Sequence, residues 1–193
     1  MTKFGKLPVK ERILKTTDEL FYSQGYHQTG INQIIEESGV AKATFYSHFK
    51  SKEDLGLEYL RAKKNHEMNA TQDMVNGIKD PYKKYMAIIK GLIPFMEESN
   101  FRGCGFSNIA VEITEPKSPI RKEVKFHDEV FRSLIRDVVQ ELVYSHKRYK
   151  HLNVEEIVDM YYIITEGALI ASRNYNDTWP LKKAVIALEK LVE

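Results

Sequence analysis

A chain of 193 residues, 42% of them hydrophobic, can bury a core without covalent staples, and its single cysteine, Cys104, cannot close an internal disulfide. One cysteine and six scattered histidines give no metal-ligand spacing, so no metal and no cofactor is expected; the absence of an apolar signal core or membrane-length apolar run predicts a cytoplasmic protein with no membrane partner. The net charge of +2 is divided unevenly: residues 1–64 hold 11 Lys+Arg against 8 Asp+Glu, a net of +3, and residues 65–193 hold 18 against 19, a net of −1, which permits a DNA-contacting N-terminal end.

In chain order, apolar residues recur at helical spacing nearly throughout and no hairpin signal interrupts them, so the expected fold class is all-α with about nine helices. Val9, Ile13, Leu14, Thr17, Leu20 and Phe21 mark one face of a first helix, which Gly25 can end through a left-handed cap. Thr29 is the expected cap of a short helix carrying Ile31, Ile34 and Ile35 and ending at Gly39, and a third helix spans about Lys42 to Phe49. Ser51 is the predicted N-cap of a long fourth helix. Asp80-Pro81 and Ser118-Pro119 have the cap-then-proline order of helix starts, and Asn153 with Glu156 has capping-box spacing for a helix to about Tyr175. Trp179-Pro180 opens the last helix, and Asn100 to Gly105, with two glycines, is the expected irregular connection.

Residues 29–49 have the parts of a helix-turn-helix. Ile31, Ile34 and Ile35 bury the first helix, Gly39 allows the turn, and Val40, Phe45 and Phe49 anchor the second helix. Lys42, Ala43, Thr44, Ser47 and Tyr46 are left facing outward. The stretch from Thr29 to Leu55, TGINQIIEESGVAKATFYSHFKSKEDL, resembles the signature of the TetR family of transcriptional repressors, and the first helix with Ile13, Phe21 and Gly25-Tyr26 is similar to that family too. The resemblance implies a helix-turn-helix DNA-binding domain in residues 1–50 and an effector-binding and dimerisation domain in residues 51–193. It implies phosphate contacts from Thr29, Tyr46, His48 and Lys52, and base-edge contacts from Lys42, Ala43 and Thr44 with Ser47 on the same face. These types suit the roles, since hydroxyls and Lys52 bind phosphate oxygens, Lys42 can donate to guanine, and the Thr44 methyl can pack on thymine. Ala41 stands where many relatives carry a capping serine. Lys3, Lys6 and Lys10 read as a solvated tail or as a minor-groove arm.

In the C-terminal part, small residues at Ala168, Ala171 and Ser172, with Ile164, allow close helix approach, and Leu181, Ala184, Val185, Leu188 and Leu191 recur at heptad-like spacing. The resemblance makes these two helices a four-helix bundle across a two-fold axis, so a homodimer is expected. It also places Tyr82, Tyr85, Phe95, Phe106, Phe126, Phe131 and Tyr162 on segments that enclose an unknown small-molecule effector, and aligns Gly103-Cys104-Gly105 with a branch in which a cysteine senses electrophiles. Read from the residues alone, the same aromatics are equally a core and Cys104 an inert thiol. The function expected is a DNA-binding regulator released from operator DNA by its effector. The alternatives are a DNA-binding dimer without an effector, or a helical enzyme, for which no phosphate loop, metal cluster or nucleophile motif speaks.

Overall fold

The computed structural model describes residues 4–193; Lys3 lies outside them. Among the described residues there are nine α-helices and no strand: α1 (Val9–Gln24), α2 (Ile31–Ser38), α3 (Lys42–His48), α4 (Lys52–Asn76), α5 (Pro81–Glu98), α6 (Gly105–Glu112), α7 (Pro119–Ser145), α8 (Val154–Tyr175) and α9 (Trp179–Lys190). A single 3-10 turn, Lys147–Tyr149, falls between α7 and α8. None of these helices is long and apolar enough to cross a membrane.

Most helix starts follow the expected chemistry. The Ser51 hydroxyl accepts from the Asp54 amide (3.0 Å) while Asp54 accepts from the Lys50 amide (3.0 Å). Asp80 accepts from Lys83 N–H at 2.8 Å, Ser118 from Arg121 N–H at 3.1 Å and Asn153 from Glu156 N–H at 3.3 Å, each satisfying a first-turn donor that the helix itself leaves free. Two expectations fail. Gly25 has positive φ (98°) but an extended ψ of 160°, so it turns the chain without a left-handed cap. Gly30 holds the N-cap position of α2 with no side-chain bond, because the Thr29 hydroxyl donates backwards to the Gly25 carbonyl at 2.8 Å. Asn100, Phe101 and Gly103 all take positive φ, confirming the irregular connection before α6.

The chain forms two compact units, each discontinuous in sequence. The first comprises residues 1–65 and 105–127, the second residues 66–104 and 128–193. Residues 1–50 therefore fall wholly in the first unit, which also holds the start of α4, all of α6 and the start of α7. In that unit Ile13, Ile34, Phe45, Phe49, Leu55, Leu60 and Phe106 are completely buried, and Phe106 stacks flat on His127 at 3.7 Å between centroids. Gly56 is tight: a Cβ there would meet the Tyr26 ring at 3.1 Å and Ile120 at 3.3 Å, so α4 passes close to both. Lys64 and Glu123, both nearly buried, pair at 2.7 Å.

In the second unit α5, α8 and α9 enclose an apolar core that includes Tyr85, Ile89, Met96, Val158, Tyr161, Leu181 and Leu188. The buried Tyr161 hydroxyl donates to the Tyr85 carbonyl (3.0 Å) and accepts from the Ile89 amide (3.0 Å), bridging two groups that would otherwise bond to each other within α5.

Candidate nucleic-acid interface

The second helix of the helix-turn-helix is divided cleanly between its faces. Phe45 and Phe49 are fully buried, their rings 5.8 Å apart, and Val40 is half-buried at the turn, where Gly39 adopts the left-handed conformation with its N–H on the Glu36 and Ile35 carbonyls. Facing away from them, Lys42, Ala43, Tyr46, Ser47 and His48 are exposed and Thr44 is half-exposed, so six of the eight expected DNA-contacting residues share one accessible helix. The Ser47 hydroxyl donates to the Thr44 carbonyl at 2.7 Å. Ala41 caps α3 with no side-chain bond, leaving the first-turn N–H groups free to meet an anion.

Lys52 is half-buried at the start of α4. Its ammonium donates to the His27 carbonyl (3.2 Å) and lies 4.6 Å from the centroid of the Tyr26 ring. Burial lowers its pKa from the usual value, and the Glu112 carboxylate opposes that shift. The same burial, with Glu53 and Glu112 nearby, pushes the Tyr26 phenol up to about 12. Thr29, expected on a phosphate, is instead fully buried with its hydroxyl donating to the Gly25 carbonyl, so its side chain shapes the turn and offers no face to a phosphate. Lys10 does not belong to a free arm either, since it pairs with Glu58 at 2.8 Å; Lys6 is exposed.

The expected effector residues are divided between the two units. Phe106 and Phe126 belong to the first unit, where Phe106 is stacked on His127 and Phe126 lies 54% exposed beneath the Lys64 ammonium at 4.1 Å. Tyr85 is a core residue whose hydroxyl donates to the Leu188 carbonyl at 3.0 Å, and Tyr82 donates to Glu189 at 2.7 Å, a bond that with burial pushes its phenol up to about 12. Phe95, Phe131 and Cys104 pack half-buried against the core of the second unit. Tyr162 is half-buried there too, its phenol pushed up chiefly by burial and then by Asp128 and Glu166. The sequence did not single out Thr165, which with Ser172 places two fully buried hydroxyls in this unit with no hydrogen-bond partner. Among the described residues no cluster of His, Cys, Asp and Glu could hold a metal.

The expected dimer residues divide by burial. Ala168, Ser172, Leu181, Ala184 and Leu188 are buried inside the second unit, while Ile164, Ala171, Val185 and Leu191 are half-buried. The outward apolar residues are others: Met160, Ile163, Ile170 and Tyr175 of α8 and Trp179 and Ile186 of α9, with Ile163 62% exposed. Ile163, Gly167 and Ile170 follow at i, i+4 and i+7 on one stripe, and a Cβ added at Gly167 would meet nothing. Helix α8 is apolar on two faces, the mark of a helix covered on both sides, and periodicity alone did not distinguish the inward from the outward one.

Two family descriptions match the chain. "Bacterial regulatory proteins, tetR family" covers residues 13–59, and "Tetracyclin repressor-like, C-terminal domain" covers residues 81–188. The chain is 28% identical over 174 residues to the HTH-type transcriptional regulator LmrA of Bacillus subtilis, spanning 89% of this chain and 90% of that one. It is also 28% identical over 178 residues to the HTH-type transcriptional regulator YxaF of the same organism, covering 89% and 88%. In fold it is similar to the reduced form of Escherichia coli NemR, with a TM-score of 0.85 at 16% identity over 96% of this chain and 98% of that one. An outward polar recognition helix over a phenylalanine core, joined to a helical C-terminal domain and matched by both descriptions along most of its length, makes this chain a member of the TetR family, a DNA-binding transcriptional regulator and not an enzyme.

Proposed function

We propose that this regulator is a repressor that binds operator DNA as a homodimer in the cytoplasm and leaves it when a small-molecule effector occupies the C-terminal part of the chain. The observation that carries the reading is α3 itself, which turns Lys42, Ala43, Tyr46, Ser47 and His48 to the outside while Phe45 and Phe49 anchor it. In this reading residues 1–50, together with Lys52 at the start of α4, grip DNA, with Lys42, Ala43 and Thr44 at base edges and Tyr46, His48 and Lys52 on phosphates. Residues 51–193 pair two chains and take the effector. The outward apolar residues Ile163 and Ile170 of α8 and Trp179 and Ile186 of α9 support pairing in place of the buried residues, because large apolar side chains left exposed on two packed helices are what an interface covers.

For the effector, the buried hydroxyls of Thr165 and Ser172 favour a ligand with a polar end, since an unsatisfied buried hydroxyl costs about 1 to 3 kcal/mol that a bound acceptor or donor recovers. Cys104, half-buried beside α6, is the candidate for a ligand that reacts with thiols.

Selection of binding sites from random DNA tests the reading. The expected result is an inverted repeat whose half-sites lie one or more turns of DNA apart, about 34 Å per turn, the imprint of a two-fold dimer. Enrichment of single, unpaired half-sites would overturn the dimer, and no enrichment at all would overturn the operator reading. A thermal-shift screen of metabolites and electrophiles tests the effector, and no stabilising compound among them would favour a regulator that acts without one.

A further inference from the structure

We propose that Glu112 is a positioning residue for DNA binding: its carboxylate, at the C-terminal end of α6, latches the turn between α1 and α2 and through that turn holds Lys52 in place. The inference rests on the DNA-binding reading above.

The turn at Gly25–His27 presents two consecutive backbone N–H groups in the same direction, a concave donor pair suited to an anion. Glu112 fills it with both oxygens, one accepting from the Tyr26 amide at 2.9 Å and the other from the His27 amide at 2.6 Å. Both bonds are charge-assisted, which makes them about twice as strong as neutral ones. The backbone of Glu112 contributes as well, its carbonyl lying 2.8 Å from His27 Nε2. The fit leaves no slack. A Cβ on Gly25 would come within 2.8 Å of the Glu112 Oε1 atom, and the φ of +98° at that position already excludes most side chains. A residue eighty-six positions away in sequence thus defines the shape of the turn leading into the helix-turn-helix.

The same turn holds Lys52. Its ammonium donates to the His27 carbonyl at 3.2 Å and rests 4.6 Å from the Tyr26 ring centroid, so the residues whose amides Glu112 grips supply, with their carbonyl and ring, the seat for the proposed phosphate lysine. One of three ammonium protons is used by the turn, leaving two donors for phosphate oxygens. Release of Glu112 frees the turn, and the free turn lets the Lys52 side chain wander, so that ordering it on DNA costs entropy that the latched form has already lost.

The experiment uses the full chain, a selected operator and four variants: Glu112→Ala, Glu112→Gln, Lys52→Ala and Glu112→Ala with Lys52→Ala. Without DNA, amide exchange at Tyr26 and His27 is expected to speed up by about tenfold or more in Glu112→Ala, less in Glu112→Gln, with the amides of α5 unchanged. On DNA, Glu112→Ala should weaken operator binding about five- to tenfold, and the double variant should bind no worse than Lys52→Ala alone, because the two residues act through one contact. Unchanged exchange at the turn would overturn the latch. Losses that multiply in the double variant would mean that Glu112 only stabilises the fold. Should Glu112→Ala fail to fold, Glu112→Gln and its double with Lys52→Ala carry the same comparison. Lys52→Ala binding every DNA like the parent would overturn the phosphate reading itself, and the exchange measurement, made without DNA, tells that failure from a failure of the latch.

Discussion

Lys42 and Lys52 carry the same charge in different surroundings, and they should fail differently when removed. Lys42 is exposed on the outward face of α3, so Lys42→Ala should cost about 1 to 3 kcal/mol on the cognate operator and little on other sequences. Lys52→Ala should weaken binding to all DNA and lower the salt slope by about 1 per half-site. Titrations of operator and scrambled DNA at several salt concentrations separate the two, and matching specificity profiles would erase the division into base readers and phosphate holders. Tyr26 gives a pH test. Its phenol is raised from the usual 10 to about 12, so the folded state keeps the proton longer than the unfolded chain does. The stabilisation is full below pH 10 and is lost as pH climbs towards 12. Tyr26→Phe should therefore flatten part of the alkaline fall in denaturant-measured stability; an unchanged profile would show that another group governs it. The outward residues of α3 were legible in the sequence because a seven-residue helix beside two phenylalanines leaves them one place to point. Thr29 and Glu112 were not, because each depends on a turn whose geometry is set by a residue remote from the motif or by a backward hydrogen bond.

At the scale of elements, the two faces of α8 and α9 separate stability from association. Leu188 is fully buried in the second unit, so Leu188→Asp should destabilise the folded chain itself by at least about 4 kcal/mol. Ile170 is 54% exposed, so Ile170→Asp should leave the melting temperature of the single chain nearly unchanged while shifting sedimentation towards one chain mass. The only tryptophan reports the same event: Trp179, 44% exposed and edge-on to Tyr175 at 5.1 Å, should shift its emission to the red on dilution in the parent and show the shifted emission at all concentrations in Ile170→Asp. A dimeric Ile170→Asp at micromolar concentration would move the interface elsewhere. The helices themselves were legible from cap-then-proline pairs and from spacing, since these act within a few residues. Which face of α8 points outward was not, because Tyr161 and Ile163 both offer a large apolar surface and only the packing of α5 and α9 decides between them.

For the molecule as a whole, the main departure from a division near residue 50 is that the first unit is built from two stretches of chain. Helix α6 and the start of α7 supply Phe106, Ile109, Ile120 and Val124, all buried, to the unit that carries the helix-turn-helix. Residues 1–65 alone should therefore be marginal: a fragment of that length buries too little surface, and here it also lacks part of its core. Circular dichroism of the fragment should show no sharp melt, and a peptide of residues 105–127 added in trans should restore helicity. A cooperative melt of the fragment at the temperature of the full chain would show that the N-terminal helices need neither α6 nor α7. Nothing in the local pattern of the first sixty residues announces this debt, since the residues that settle it lie beyond Cys104.

The discontinuity of that unit also orders events during synthesis. Domains that are continuous in sequence fold as they leave the ribosome, but here the helices bearing the recognition residues emerge first and must wait for residues 66–104, which belong to the other unit, before α6 and Glu112 exist. At about 5 to 20 residues per second the wait is several seconds, during which the helix-turn-helix is present without its latch. By the proposed latch, a nascent chain completes the seat of Lys52 only after residues 66–104, which belong to the unit proposed to take the effector, have been made.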